Sequence, residues 1–162
     1  APGAADRLAA LGVEVVAVSP DKDESDLELC VAVARRAGAR DVCFTAAFSE
    51  RLDHTLCALG SVIGCADLNA LVREPSWSAW TVGGDGPGER VVDLTPGTIF
   101  SLIAPAGAVG VTLQGGKYPL VEGVLEPLSS LGLGNVVASG RVCVSVREGT
   151  LLLTAQAVRE PA

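Results

Sequence analysis

Two short runs of charged residues carry side chains able to do phosphate chemistry. The first, Asp21-Lys22-Asp23-Glu24-Ser25-Asp26, gathers several carboxylates ahead of a predicted helix. Oxygen ligands of this kind suit Mg²⁺ carrying a nucleotide, because Mg²⁺ commonly takes one or two carboxylates and completes its shell with water and phosphate oxygens. The same run also reads as a helix start, with Ser25 as cap and Asp23, Glu24 and Asp26 complementing the helix dipole in water. The second run is Arg51-Leu52-Asp53-His54. Arg51 could hold phosphate oxygens in a fork, with Asp53 orienting it or a ribose, and a surface ion pair at a helix start is the alternative. His54 is the only histidine and has no Cys or His at metal-ligand spacing, which argues against zinc. No Gly-x-Ser-x-Gly elbow supports a serine triad. A third element, Leu131-Gly132-Leu133-Gly134-Asn135, reads as a Gly-rich turn and does not fit the dinucleotide fingerprint.

These runs need elements to position them. Residues 4–11 read as the end of a short helix stopped by Gly12, and 12–18 have the β-branched content of a strand. Leu27, Cys30, Val31 and Ala34 repeat at helical spacing over 26–37, with Ser25 and Glu28 as a capping box and Gly38 as the stop. Residues 41–46 read as a second strand. Leu52, Leu56, Leu59 and Ile63 then predict a helix beginning near Arg51, and 67–72 is strand-like. Strand, helix, strand, helix, strand implies a parallel sheet with right-handed crossovers, whose ligands sit beyond the carboxyl ends of the strands. Loops 19–25 and 47–50 lie at such ends.

From Pro75 the pattern changes. Gly83 to Gly88 is a turn-rich break, and strands are predicted at 89–94, 98–104, 109–114, 141–146 and 150–158. The predicted class is therefore α/β: a partial doubly wound parallel-sheet domain, residues 1–75, followed by an antiparallel β-sandwich domain, residues 88–162.

Nearly half of the 162 residues are apolar while aromatics make up 4%, which supplies a core but no aromatic platform for single-stranded nucleic acid. The formal charge of −7 opposes general attraction to nucleic acid or anionic lipid, so a polyphosphate would need local residues or a metal. The longest apolar stretch, 56–68, is interrupted by Asp67 and is too short to span a membrane. Five cysteines without a Cys-x-x-Cys pair read as buried thiols in a reducing compartment, which predicts a cytoplasmic location or an organelle after removal of a targeting peptide. The absence of Met points to a processed or partial chain.

In their order and spacing the clusters resemble the thiamin pyrophosphokinase (thiamin diphosphokinase) family. The run 21–28 looks like its lysine-aspartate, threonine-aspartate helix start. Arg51-Leu52-Asp53-His54-Thr55-Leu56 is similar to its Arg-hydrophobic-Asp-His segment. Thr98 to Ile103 and Gly110 to Leu120, including Gln114-Gly115-Gly116-Lys117, resemble the opening strands of its β domain, and Leu133-Gly134-Asn135 stands at its Ser-Asn pair. The resemblance implies transfer of diphosphate from ATP to thiamin, giving thiamin diphosphate and AMP, with Mg²⁺. It further implies a homodimer whose sites combine the α/β part of one subunit with the β part of the other. On that basis Asp26 and Arg51 are the catalytic candidates, and Lys22, Asp23, Ser25, Asp26, Arg51 and Asp53 the nucleotide-binding ones. Asp23 and Asp26 would bind the metal, and Gly134 and Asn135 thiamin. The chain departs from the pattern in three places: the upstream Gly-Asp-Phe-Asp-Ser segment does not occur, the Gly-Gly before the Arg is Ser49-Glu50, and Gly134 replaces the Ser. The alternative expectation is a non-catalytic relative acting as a structural or interaction subunit.

Overall fold

The structure is a computed structural model, and it describes residues 3–157 except 14, 16, 20 and 87. Helix α1 spans Ala4–Ala10, α2 Asp26–Arg36 and α3 Leu52–Ile63. The strands are β1 (Cys43–Phe44), β2 (Leu71–Glu74), β3 (Trp77–Gly83), β4 (Glu89–Asp93), β5 (Ile99–Ile103), β6 (Ala108–Gln114), β7 (Leu120–Leu125), β8 (Asn135–Val136), β9 (Arg141–Ser145) and β10 (Glu148–Gln156).

The helices form where their ends are locally encoded. Ser25 caps α2 by accepting the Glu28 backbone N–H at 3.2 Å, while the Glu28 carboxylate accepts the Ser25 N–H at 2.7 Å. Gly12, at a φ of 74°, follows the close of α1, as its left-handed tolerance suits. The buried side of α3 differs from the expected Leu52-Leu56-Leu59-Ile63 face. Ala58 and Val62 are buried, whereas Leu52 and Leu56 are 71% and 57% exposed, because only the second half of the helix meets the core.

Parallel pairing is limited to one ladder among the described residues, β1 on β2 through Cys43–Leu71 and Phe44–Val72. The strand expected at 12–18 is not formed by its described residues. Val13, Val15 and Val18 are about half exposed, and Glu14 and Val16 lie outside the described residues. The strand-like segment 67–72 divides into a 3₁₀ turn, Ala66–Leu68, and β2, with Asn69 in the left-handed region between them. Beyond Pro75 the sequence reading missed β3, β7 and β8, whereas the five strands it expected in that region are present, the last as far as Gln156; Val158 lies outside the described residues.

All ten strands belong to one curled sheet with the path β1-β2-β3-β10-β6-β9-β4; β5 pairs with β10, β7 with β6 and β8 with β5. The curl occurs at β10. Glu148 and Gly149 pair with β6, after which Thr150–Gln156 run antiparallel along β3, with β5 on the other edge at Leu152–Ala155. Side chains alternate along a strand, so β10 serves two cores. Leu151, Leu153 and Ala155 join Phe100, Val111, Val142 and Val144 inside the curl, and Leu152 joins Phe44, Val62, Cys65 and Val72 beneath the helices.

A polar relay ties the two regions on their other side. The Asn69 side chain donates to Asp41 and accepts from Arg90 on β4. The cysteines correct the expectation of buried thiols. Cys65 is buried, but Cys30, Cys43 and Cys57 are exposed: α2 carries no buried residue, Cys43 alternates outward from buried Phe44, and Cys57 lies outside the buried positions Ala58 and Val62 of α3.

Candidate functional site

Both charged clusters sit at helix N-termini, where unpaired backbone N–H groups and the dipole favour anions. Lys22 Nζ lies 2.7 Å from Asp26 Oδ1, an i,i+4 pair in which Asp26 is 86% exposed. The hydrogen bond from Lys22, then its charge, lowers the Asp26 carboxyl below its ordinary range. Arg51 is the N-cap residue of α3 and grips Asp53 with two hydrogen bonds, Nε to Oδ1 at 3.2 Å and an outer nitrogen to Oδ2 at 2.6 Å. Those bonds and the His54 backbone N–H hold the Asp53 carboxyl at about 2. A guanidinium has five donors, so this grip leaves Arg51 with further N–H groups for an anion.

A cleft of about 560 Å³ opens between the starts of the two helices, lined by Lys22, Glu24, Ser25, Asp26, Ala47, His54 and Cys57 among others. The loop before α3 is held by its own groups: Thr55 Oγ1 donates to the Ser49 carbonyl at 2.8 Å, and the Arg51 N–H to Ser49 Oγ at 3.3 Å. A larger apolar groove of about 1180 Å³ crosses β3, β10 and β5 beside α3 and contains none of the sequence-predicted site residues.

Among the described residues no group of three His, Cys, Asp or Glu side chains could hold a metal ion. Asp23 and Asp26 are exposed carboxylates that do not by themselves make a protein cage. They fit an ion that keeps much of its water and brings phosphate oxygens with it, as Mg²⁺ does.

The family model for the catalytic domain of thiamin pyrophosphokinase matches residues 2–72, which include both clusters and the cleft. Over this segment the chain is similar to the thiamin pyrophosphokinase family. The fold agrees. The thiamine pyrophosphokinase from Bacillus subtilis superposes with a TM-score of 0.74 at 22% identity over 85% of this chain and 65% of its own. Thiamin pyrophosphokinase from Geobacillus thermodenitrificans gives 0.76 at 21%, covering 96% and 73%, and a thiamin pyrophosphokinase family protein from Enterococcus faecalis gives 0.77 at 16%, covering 97% and 76%. The chain thus spans less than two thirds of the Bacillus subtilis protein. No curated protein sequence matches it.

Of the residues predicted from the thiamin pyrophosphokinase pattern, Lys22, Ser25 and Asp26 line the cleft together. Asp23 adjoins them in sequence, and Arg51 and Asp53 flank the cleft at the start of α3 without lining it. Gly134 and Asn135 stand elsewhere, beside β5. The Gly134 N–H donates to Ser101 Oγ at 3.1 Å, and Gly134 adopts a φ of 70°. Asn135 is buried and spends its amide on the chain itself: Oδ1 accepts the Tyr118 and Val136 N–H groups at 3.1 and 2.9 Å, and Nδ2 donates to the Tyr118 carbonyl at 2.7 Å. The Gly115-Gly116 pair of the family-like segment has a steric basis. Gly115 has a φ of 85° and a Cβ there would lie 1.8 Å from the Arg141 carbonyl oxygen, while a Cβ on Gly116 would lie 2.8 Å from Asn135 Oδ1. Sequence reasoning placed the loop 47–50 at a strand end without singling out Ala47, and set His54 aside with the zinc question; the signal for His54 was its place on the first turn of α3.

Proposed function

We infer that the protein is a thiamin diphosphokinase, transferring diphosphate from ATP to thiamin to give thiamin diphosphate and AMP. The observation that carries this reading is the cleft at two adjoining helix N-termini, lined by Lys22, Ser25 and Asp26, inside the segment that matches the catalytic-domain family model. In the reaction the thiamin hydroxyl oxygen attacks the β-phosphorus, the bond from that phosphorus to the bridging oxygen of AMP breaks, and the hydroxyl proton is released to a base or solvent. Such chemistry asks a protein for positioning and for stabilisation of phosphate charge. Lys22, the α2 N-terminus and the free donors of Arg51 supply positive potential. Ser25 and Asp53 fix the helix start and the guanidinium, and Asp26 orients the hydroxyl or binds the metal. A magnesium ion bound with ATP would be held by Asp23 and Asp26 and would neutralise phosphate charge. Gly134 and Asn135 would meet thiamin, as part of a homodimer that completes each site.

An assay of AMP release with thiamin and MgATP, run on the chain, tests the reading. Asp26→Asn and Arg51→Ala are each expected to lower measurable activity by about 10²-fold, the scale for loss of a charge-stabilising group. Absence of activity would favour the second reading, a non-catalytic relative, which the lack of a three-ligand acidic cluster among the described residues supports.

A further inference from the structure

The loop between β1 and α3 holds an unfavourable backbone shape. Ala46 has a φ of 51°, in the left-handed region that a residue with a Cβ seldom occupies. Such a conformation persists where its surroundings over-determine it. Two contacts from the β2–β3 hairpin do so. Glu74 Oε1 accepts the Ala47 N–H at 3.1 Å in a half-buried position, and the Phe48 ring meets Trp77 edge to face with centroids 5.0 Å apart. Glu74 and Trp77 are register partners at the end of their ladder, so one hairpin end supplies both. Ala47 is a wall of the cleft, and Phe48 turns into the apolar groove on the other side. Arg51 follows as the N-cap of α3.

The geometry points to Glu74 as a positioning residue for nucleotide binding: by holding the Ala47 N–H it fixes the loop that walls the cleft and delivers Arg51. This rests on reading the cleft as the nucleotide site. A carboxylate gains nothing from phosphate by its charge, so what Glu74 provides there is a hydrogen-bond acceptor. Glutamine keeps an acceptor oxygen and alanine does not, which separates the acceptor role from charge and from bulk.

The test compares the unmutated chain with Glu74→Ala and Glu74→Gln, reading the MgATP dissociation constant by titration calorimetry and amide exchange at Ala47 by NMR. Glu74→Ala is expected to speed exchange at Ala47 and to weaken MgATP by about fivefold to tenfold, the scale of one net hydrogen bond. Glu74→Gln is expected to keep both near the unmutated values. Faster exchange in Glu74→Ala with unchanged affinity overturns the positioning role, as does a Glu74→Gln variant as weak as Glu74→Ala. If Glu74→Ala fails to fold, Phe48→Leu loosens the same loop and is read in the same two ways. An unmutated chain that does not bind MgATP overturns the nucleotide reading, and with it any role in nucleotide binding. Exchange at Ala47 then shows separately whether Glu74 holds the loop.

Discussion

At the scale of single residues, the ion pairs at the helix starts are exposed, and their influence is on local charge rather than on stability. Asp53 makes this measurable. Its carboxyl is depressed from an ordinary 3.8 to about 2, chiefly by the Arg51 hydrogen bonds. A depressed carboxyl contributes its stabilisation fully above the unfolded value and loses it as the pH falls through the folded one. The Arg51–Asp53 grip should therefore persist from neutrality through pH 4 and release near pH 2. A carboxyl-carbon NMR titration is expected to place the Asp53 midpoint near 2, and Arg51→Ala to move it up toward 3.8; a midpoint already near 3.8 in the unmutated chain would show that the pair does not form in solution. Lys22, Ser25 and Asp26 were legible as a group because cap, pair and charge all act within one helical turn. The loop 47–50 and the start of α3 were legible as lying at a strand end, but Glu74 was not legible as the loop's acceptor, since the bond from Ala47 to Glu74 spans 27 positions and exists only once β1 and β2 are side by side.

At the scale of elements, what the sequence specified locally is what could be read from it. Helix α2 begins where its S-x-x-E box predicts, and because none of its residues is buried, the cap is a large share of what fixes its start. Ser25→Ala is expected to destabilise the chain by about 1 kcal/mol in urea denaturation, whereas Ser25→Asp should keep stability near that of the unmutated chain. A silent Ser25→Ala would mean that α2 is held by packing instead. Strand β3 escaped notice because Pro75 and the glycines from 83 to 88 bracket it as loop, although Trp77, Ala79 and Thr81 alternate with Ser78, Trp80 and Val82. Strand β7 was hidden by Gly123 and by register shifts opposite Val109, Val111 and Leu113, and β8 has two residues, too few for any periodicity. The face of α3 was misjudged for a related reason: four leucines and isoleucines at helical spacing define an apolar stripe, but where the sheet ends along that stripe is a tertiary fact.

At the scale of the whole molecule, the curl at β10 couples the region under the helices to the region inside the sheet. Leu153 is fully buried at the centre of that strand, and its truncation to alanine is expected to cost about 3 kcal/mol and to lower cooperativity for both regions together. Leu56→Ala, on the exposed part of α3, should change stability by less than about 0.5 kcal/mol in the same denaturation experiment. Unfolding of the two regions in separate transitions would contradict the coupling. The position of β10 in the chain also bears on how the protein is made. Its central strand is the last of the described strands to leave the ribosome, and its partners β3 and β5 emerge some 50 to 75 residues earlier. At about 5–20 residues per second those edges wait several seconds with their hydrogen-bonding groups unpaired. A nascent chain in that interval presents open strand edges and apolar faces, the features that recruit chaperones and that favour pairing with a neighbouring nascent chain on the same message.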